Sequence, residues 1–182
     1  MGRFRILIFL FLLFFICGCG NKEYSRVDFL MDTVVEIKVY HGNKIEAREA
    51  IDSSIEEMKR VEQKMSIFVP GSEVSGINKE ALFERRSASG LSDGWISISD
   101  ELFSLLEESV RLSDLTKGCF DVTIYPLWKI WKFERDNVEI PNKREIERAL
   151  GLVAYKNMIL QNGKIKFGKK GMGVDLGGIA KG

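Results

Sequence analysis

Eleven consecutive apolar residues, Ile6 to Ile16, stand near the start of the chain behind Arg3 and Arg5. A permanent membrane-crossing helix needs roughly 20 apolar residues. The run is therefore too short to span a bilayer, and it reads as the h-region of a signal peptide with the two arginines as its n-region. The fold must be built from the residues beyond it. Taking away residues 1–18 leaves 182 − 18 = 164 residues, enough for one domain with a hydrophobic core. It also takes Arg3 and Arg5 from the 27 basic residues, leaving 25 against 26 acidic ones. That balance offers no charge excess for nucleic acid or an anionic surface.

The apolar run ends in Ile16-Cys17-Gly18-Cys19. An aliphatic residue three before a cysteine, with a small residue just before it, resembles a bacterial lipobox. Cleavage ahead of Cys19 would free its amine and leave its thiol to carry diacylglycerol, so Cys19 is the expected lipidation site. The expected location is the bacterial cell membrane, lipid-anchored and facing the periplasm or cell exterior. Stable anchoring takes more than one acyl chain, which an acylated lipoprotein cysteine provides. Cys17 leaves with the signal and Cys19 is lipidated, so Cys119 is the free cysteine that remains and no intrachain disulfide is expected. His41 is the single histidine, beside Gly42, and reads as a solvated loop residue. A histidine-based zinc site or a Ser-His-Asp triad has almost nothing to work with.

Residues 19–28 read as a lipid-anchored tether, polar and charged from Gly20 to Asp28. Thr33 to Tyr40 alternates, with Val35, Ile37 and Val39 on one side, and predicts a half-buried strand. Lys44 to Met65 places Ala47, Ile51, Ile55, Met58, Val61 and Met65 at helical spacing. Ser66 to Asn78 reads as a loop holding Pro70 and Gly71, and Trp95 to Ile98 as a short strand. Ser99 is a helix N-cap ahead of Asp100 and Glu101, with Gly118 as the stop. Asn142 and Glu145 make a capping-box start for a helix ending at Gly151. Asn162-Gly163 between Met158–Leu160 and Lys164–Phe167 signals a hairpin. Val174 to Leu176 reads as a brief strand into Gly177-Gly178, with a helix starting at Ile179. The hairpin signal and uneven strand spacing predict an α+β fold, helices packed on a mostly antiparallel sheet, rather than a doubly wound sheet. A helix that has barely begun at Ala180-Lys181-Gly182 leads to the expectation that the domain continues beyond residue 182.

Four segments carry candidate chemistry. Leu30-Met31-Asp32-Thr33 opens a strand. Ser66 to Asn78 contains Phe68 and Pro70-Gly71-Ser72-Glu73-Val74. Gly118 to Leu127 contains Cys119, Phe120 and Asp121, followed by Trp128 and Trp131. Gly173-Val174-Asp175-Leu176-Gly177-Gly178-Ile179-Ala180-Lys181-Gly182 closes the chain. In the last, an acid ends a strand, two glycines allow a tight turn, and a helix N-terminus comes after them. Backbone N–H groups there can face an anion, and Lys181 can add a point charge to a phosphate. The spacing is not that of a Walker loop or of Gly-x-Gly-x-x-Gly, and a corner whose glycines serve packing fits the same residues. Phe120 beside Asp121 suits a heteroaromatic ring, whose face stacks while the carboxylate accepts N–H donors. A buried Phe with a turn-capping Asp fits equally.

Together, in this order, the four segments resemble the FAD:protein FMN transferase family, the ApbE-type periplasmic flavin transferases. The resemblance runs from about Phe29 to Gly182. It implies an ApbE-like fold, of which residues 29–182 would be the N-terminal part. It also implies FAD as substrate, Mg2+ as cofactor, and transfer of FMN to a threonine hydroxyl of a target flavoprotein with release of AMP. Met31 and Phe68 then look like flavin-nucleotide contacts. Cys119, Phe120 and Asp121 match the segment that wraps the nucleotide, Asp175 matches a ligand-binding acid, and Lys181 an FAD-contacting position. Gly178 falls where the family gives the metal an oxygen, here a backbone carbonyl. The catalytic residues, including a His-containing segment, are expected in a C-terminal part that this sequence does not show. The 182 residues alone are therefore expected to be inactive. Two other readings use the same residues: an FAD pyrophosphatase giving FMN and AMP, and a non-catalytic flavin-binding lipoprotein.

Overall fold

The computed structural model describes residues 20–82, 94–131 and 140–180. The readings of residues 1–18 as a signal peptide, of Cys19 as the lipidated residue, and of Lys181 as a nucleotide contact lie outside the described residues. Among those described, no helix is long and apolar enough to cross a membrane. The chain divides into two compact units between Lys59 and Arg60.

In the first unit, strand β1 (Lys22–Leu30) pairs antiparallel with β2 (Thr33–His41) over its whole length, from Lys22 opposite His41 to Leu30 opposite Thr33. Residues 22–28, read from the sequence as part of a tether, thus form most of β1. Their polar character reflects a strand with solvent on one face, where charged residues can alternate with packed ones. β2 follows the alternation that predicted it. Val35, Ile37 and Val39, with Tyr24, surround the buried Leu30, Ile51 and Ile55. The last two come from helix α1 (Lys44–Met65), which has the bounds its periodicity predicted. Asn43 begins α1, its side chain accepting from the Ile45 amide at 2.9 Å. His41 closes β2, and its Nδ1 accepts from the Asn43 amide at 3.2 Å.

The second unit is built on a core of Met65, Val74, Ile77, Leu102, Leu106, Val122, Met158, Ile165, Val174 and Leu176. The last turn of α1 contributes Met65. Helix α2 (Glu73–Leu82) comes next. This corrects the reading of Ser66–Asn78 as a loop throughout, because the loop ends at Ser72. The Ser72 hydroxyl accepts from the Ser75 amide at 2.9 Å, and its carbonyl accepts the first helical bond from Gly76 at 3.0 Å. Val74 and Ile77, three apart, supply the buried face. Helix α3 (Asp100–Leu115) is capped by Ser99, as expected. Lys117 and Gly118, at φ 55° and 85°, turn the chain out of it. Short helix α4 (Tyr125–Trp131) has no apolar period to announce it, although Pro126 in its first turn is well placed. Helix α5 (Lys143–Leu150) carries the complete Asn142–Glu145 capping box.

Strands β3 (Ile96–Ser97), β4 (Met158–Gln161) and β5 (Lys164–Phe167) form an antiparallel sheet in the order β3-β5-β4. The β4–β5 hairpin turns at Asn162-Gly163, at φ 51° and 69°, as those residue types predict. The fold is thus α+β with antiparallel sheets. One expected strand is absent: Val174–Leu176 is extended but pairs with no strand among the described residues. A side chain of α2 and the Val122 carbonyl meet its backbone groups instead.

Candidate functional site

The segment from Met172 to Ala180 is positioned by the elements around it. Asn78, at 2% exposure on α2, donates from Nδ2 to the Val174 carbonyl and accepts from the Val174 amide, both at 2.8 Å. A side-chain amide so placed substitutes for a neighbouring strand, satisfying donor and acceptor of one buried residue. Immediately before it, Gly173 lies so close to α2 and α4 that a Cβ would stand 2.6 Å from Tyr125 Cδ1 and 2.7 Å from Asn78 Oδ1. No other residue type fits there without displacement. The Asp175 amide then donates to the Val122 carbonyl at 2.9 Å. This ties the corner to the segment just after Phe120 and Asp121.

The corner itself is one tight turn. Asp175 Oδ1 accepts from the Gly177 amide at 2.9 Å, and the Leu176 carbonyl accepts from Ile179 and Ala180 at 3.0 and 2.8 Å. Gly177 and Gly178 are exposed. A Cβ on Gly178 would stand 3.2 Å from Phe120 Cε2, so the ring edge and the turn are neighbours. Phe120, Asp175 and Gly178, predicted from two separate segments of the sequence, therefore sit at one place in the second unit.

Asp121 is committed to the fold. Its Oδ1 accepts from the Thr123 amide at 2.8 Å and hydroxyl at 2.6 Å, and its Oδ2 accepts from the Tyr155 amide at 3.0 Å. The fully buried Thr123 hydroxyl accepts in turn from Ala154 at 2.8 Å. This is the capping role open to an Asp ahead of a turn, and it clamps the Phe120 segment to the approach of β4. Tyr155 donates its phenol proton to Asp114 at 2.8 Å, and that bond to an anion raises the phenol above its ordinary value. Cys119 is exposed with a free thiol, and its amide bonds to the Thr116 carbonyl at 3.1 Å.

Phe68, 42% exposed, meets the Trp128 ring edge-on, with centroids 4.8 Å apart and planes at 75°. This contact attaches the Phe68 loop to α4 and leaves much of the Phe68 ring open. Met31 belongs to the first unit, in the two-residue turn between β1 and β2. Met31 and Asp32 have φ 52° and 57°, a left-handed pair that normally attracts Asn and Gly. A methionine in that conformation is an outlier of the kind found where a side chain's position matters more than local comfort. Among the described residues there is no group of three or more His, Cys, Asp or Glu side chains that could hold a metal ion. Gly178 can contribute a single carbonyl oxygen, against the six ligands that magnesium requires. These residues do not make a magnesium site.

Sequence reading missed Asn78, Gly173, Thr123 and Tyr155 as residues that shape the site. Asn within an apolar helical face was the available signal for Asn78, and Gly next to a buried Val for Gly173.

A profile described as the ApbE family matches residues 31–182. The FAD:protein FMN transferase of Treponema pallidum is 22% identical, the match covering 92% of this chain and 48% of that protein. The protein of the same name from Vibrio cholerae is 25% identical, covering 93% of this chain and 49% of its own. The chain spans about half the length of the curated relatives it matches. Among solved structures, the ApbE protein of Thermotoga maritima superposes with a TM-score of 0.76 at 33% identity, over 88% of this chain and 49% of that one. The flavin transferase ApbE of Vibrio cholerae superposes at 0.73 and 22% identity, over 88% and 50%.

Proposed function

The chain belongs to the ApbE family, and from that premise we propose that it serves an FAD:protein FMN transferase, which moves the FMN part of FAD onto a threonine hydroxyl of a target protein and releases AMP. The observation that carries the reading is the meeting of Phe120, Asp175 and Gly178 at one corner. There an aromatic edge, exposed backbone and a carboxylate are held by a buried Asn and by a glycine whose Cβ would force Tyr125 and Asn78 to shift. Gly177 and Gly178 leave exposed backbone at the turn, where the lack of side chains lets a pyrophosphate approach closely. Phe68 and Phe120 offer rings that can lie against the flavin or adenine. In this reading Asp121 acts on the nucleotide through the position it gives Phe120.

Transfer is displacement at phosphorus: the threonine oxygen bonds to the FMN phosphorus while the bond to the AMP oxygen breaks. Positioning and charge stabilisation supply most of such catalysis. The contribution of this chain is to hold the dinucleotide still and to exclude water from one side of it. Magnesium is the metal the family reading implies, and the described residues offer it one backbone carbonyl. We propose further that Cys19 is the lipid-bearing residue, placing the protein at the outer side of a bacterial cell membrane. Loss of palmitate labelling in a Cys19→Ala variant is the outcome that supports this.

The test of activity is incubation of the full-length protein with FAD, Mg2+ and a threonine-bearing acceptor. A fluorescent band on the acceptor that withstands denaturing electrophoresis is expected, together with AMP in the supernatant. FMN and AMP without a labelled acceptor would replace the transferase with a hydrolase. Neither product, with no FAD bound, would reject both.

A further inference from the structure

We propose that Thr116 is a positioning residue for the dinucleotide, its hydroxyl fixing the Phe120 ring at the Gly178 turn while Tyr155 braces both ends of the same loop. The proposal rests on the transferase reading and names a residue on which its FAD site depends. The loop begins where α3 ends. Lys117 and Gly118 are both left-handed, so the chain reverses within two residues. Leaving the helix, the amides of Thr116, Lys117, Gly118 and Cys119 donate to the carbonyls of Leu112, Asp114, Ser113 and Thr116, at 2.8 to 3.1 Å. The Phe120 amide is the first to turn to a side chain. It donates to the Thr116 hydroxyl at 3.1 Å.

That hydroxyl has its own proton committed. It donates to the Leu112 carbonyl at 2.8 Å, with the Ser113 carbonyl at 3.3 Å. A hydroxyl carries one proton and two lone pairs, so donation to the helix leaves an acceptor for Phe120. One oxygen thus joins the last turn of α3 to the backbone of the aromatic residue. Serine could do the same. Valine has the shape of threonine but can neither donate nor accept.

Tyr155 holds the loop by its two ends. Its phenol donates to Asp114 at 2.8 Å, and its amide donates to Asp121 at 3.0 Å. Asp114 lies before the reversal and Asp121 just after Phe120. The Tyr155 ring lies along the turn between them, where a Cβ on Gly118 would stand 3.9 Å from Cε1. Phe120 is therefore held at its own amide and through both ends of its loop before it reaches the Gly178 turn. A ring held in this way needs little further ordering when a ligand binds, and that saving appears as affinity.

The test is an FAD titration of the full-length protein by flavin fluorescence, with urea unfolding of the same variants. Thr116→Val should weaken FAD binding about tenfold, and Thr116→Ser, which restores the hydroxyl, should stay within about twofold of wild type. Tyr155→Phe keeps the ring and the amide and should weaken binding about threefold. The Thr116 hydroxyl acts through the Phe120 ring. In a Phe120→Leu background, Thr116→Val should therefore change FAD affinity by less than about twofold, while its effect on the urea midpoint persists. Equal losses of affinity in the two backgrounds overturn the proposal. So does a midpoint lowered by Thr116→Val with FAD affinity unchanged, which is the mark of a residue serving stability alone. If Phe120→Leu weakens binding in that case, the transferase reading stands without this inference. A wild-type protein that binds no FAD overturns both.

Discussion

Replacing Asn78 by Ala removes the one side chain that satisfies both backbone groups of Val174. The two bonds are 2.8 Å long, Asn78 is 2% exposed and Val174 is fully buried. A buried donor or acceptor left without a partner costs about 1–3 kcal/mol. Two such groups give about 2–6 kcal/mol, and a value of about 3 is expected once some relaxation is allowed. That is a large share of the roughly 5–15 kcal/mol by which a domain is stable. Urea unfolding of the wild-type chain and the variant, followed by circular dichroism, measures the difference. Gly173→Ala should cost a similar amount, because its Cβ would press on Asn78 Oδ1 and Tyr125. The two changes damage the same contact, so the double variant should lose clearly less than the sum, a coupling on the order of 1 kcal/mol or more. An Asn78→Ala midpoint within experimental error of wild type, or full additivity with Gly173→Ala, would refute the claim that this pair holds the corner.

Other outcomes stem from the same geometry. Gly178→Val should weaken FAD binding about tenfold in a fluorescence titration while leaving the unfolding midpoint nearly unchanged. The added side chain meets Phe120 at an exposed turn and not in the core. Asp121→Ala should cost about 2–3 kcal/mol by urea unfolding, because the Thr123 and Tyr155 amides lose a charged acceptor; an unchanged midpoint would mean the carboxylate is not structural. Glu101 is held down to about 2 by hydrogen bonds first from Arg60 and then from Lys64, with their charges adding. A carboxylate lower in the folded than the unfolded state contributes stability above its ordinary pKa of 4.5, and loses it as pH falls toward 2. The melting temperature of Glu101→Gln should therefore converge on that of wild type across this window. The pair is partly exposed, so its effect should shrink in high salt. Ser99→Ala removes the N-cap of α3 and a partner of Glu73 and should cost about 1 kcal/mol.

Local signals decided a good deal in advance. The 22-residue helix, the alternating second strand, the Ser99 cap, the Asn142–Glu145 box and the Asn162-Gly163 turn each rest on contacts within a few residues, so their chemistry is written along the chain. Phe68, Phe120, Asp175 and Gly178 were recognisable as candidates for the same reason, since residue type and spacing could be matched to a family resemblance, and the family itself is borne out by the profile. The sequence did not reveal Ser72 as a cap, because its value depends on Val74 and Ile77 finding a core. It also made β1 look like a tether, since a strand with a solvated face is compositionally close to a linker.

The remainder was decided in three dimensions. Asn78 and Val174 are 96 residues apart, and no periodicity connects them. Their pairing, the close approach that excludes a side chain at Gly173, and the three bonds that commit Asp121 to the scaffold all arise when α2, α4 and the turn before β4 are brought together. The chain specifies its helices and turns through short-range hydrogen bonding and hydrophobic period. Which polar groups remain open to a ligand depends on which ones burial obliges to satisfy each other, and that is settled by packing.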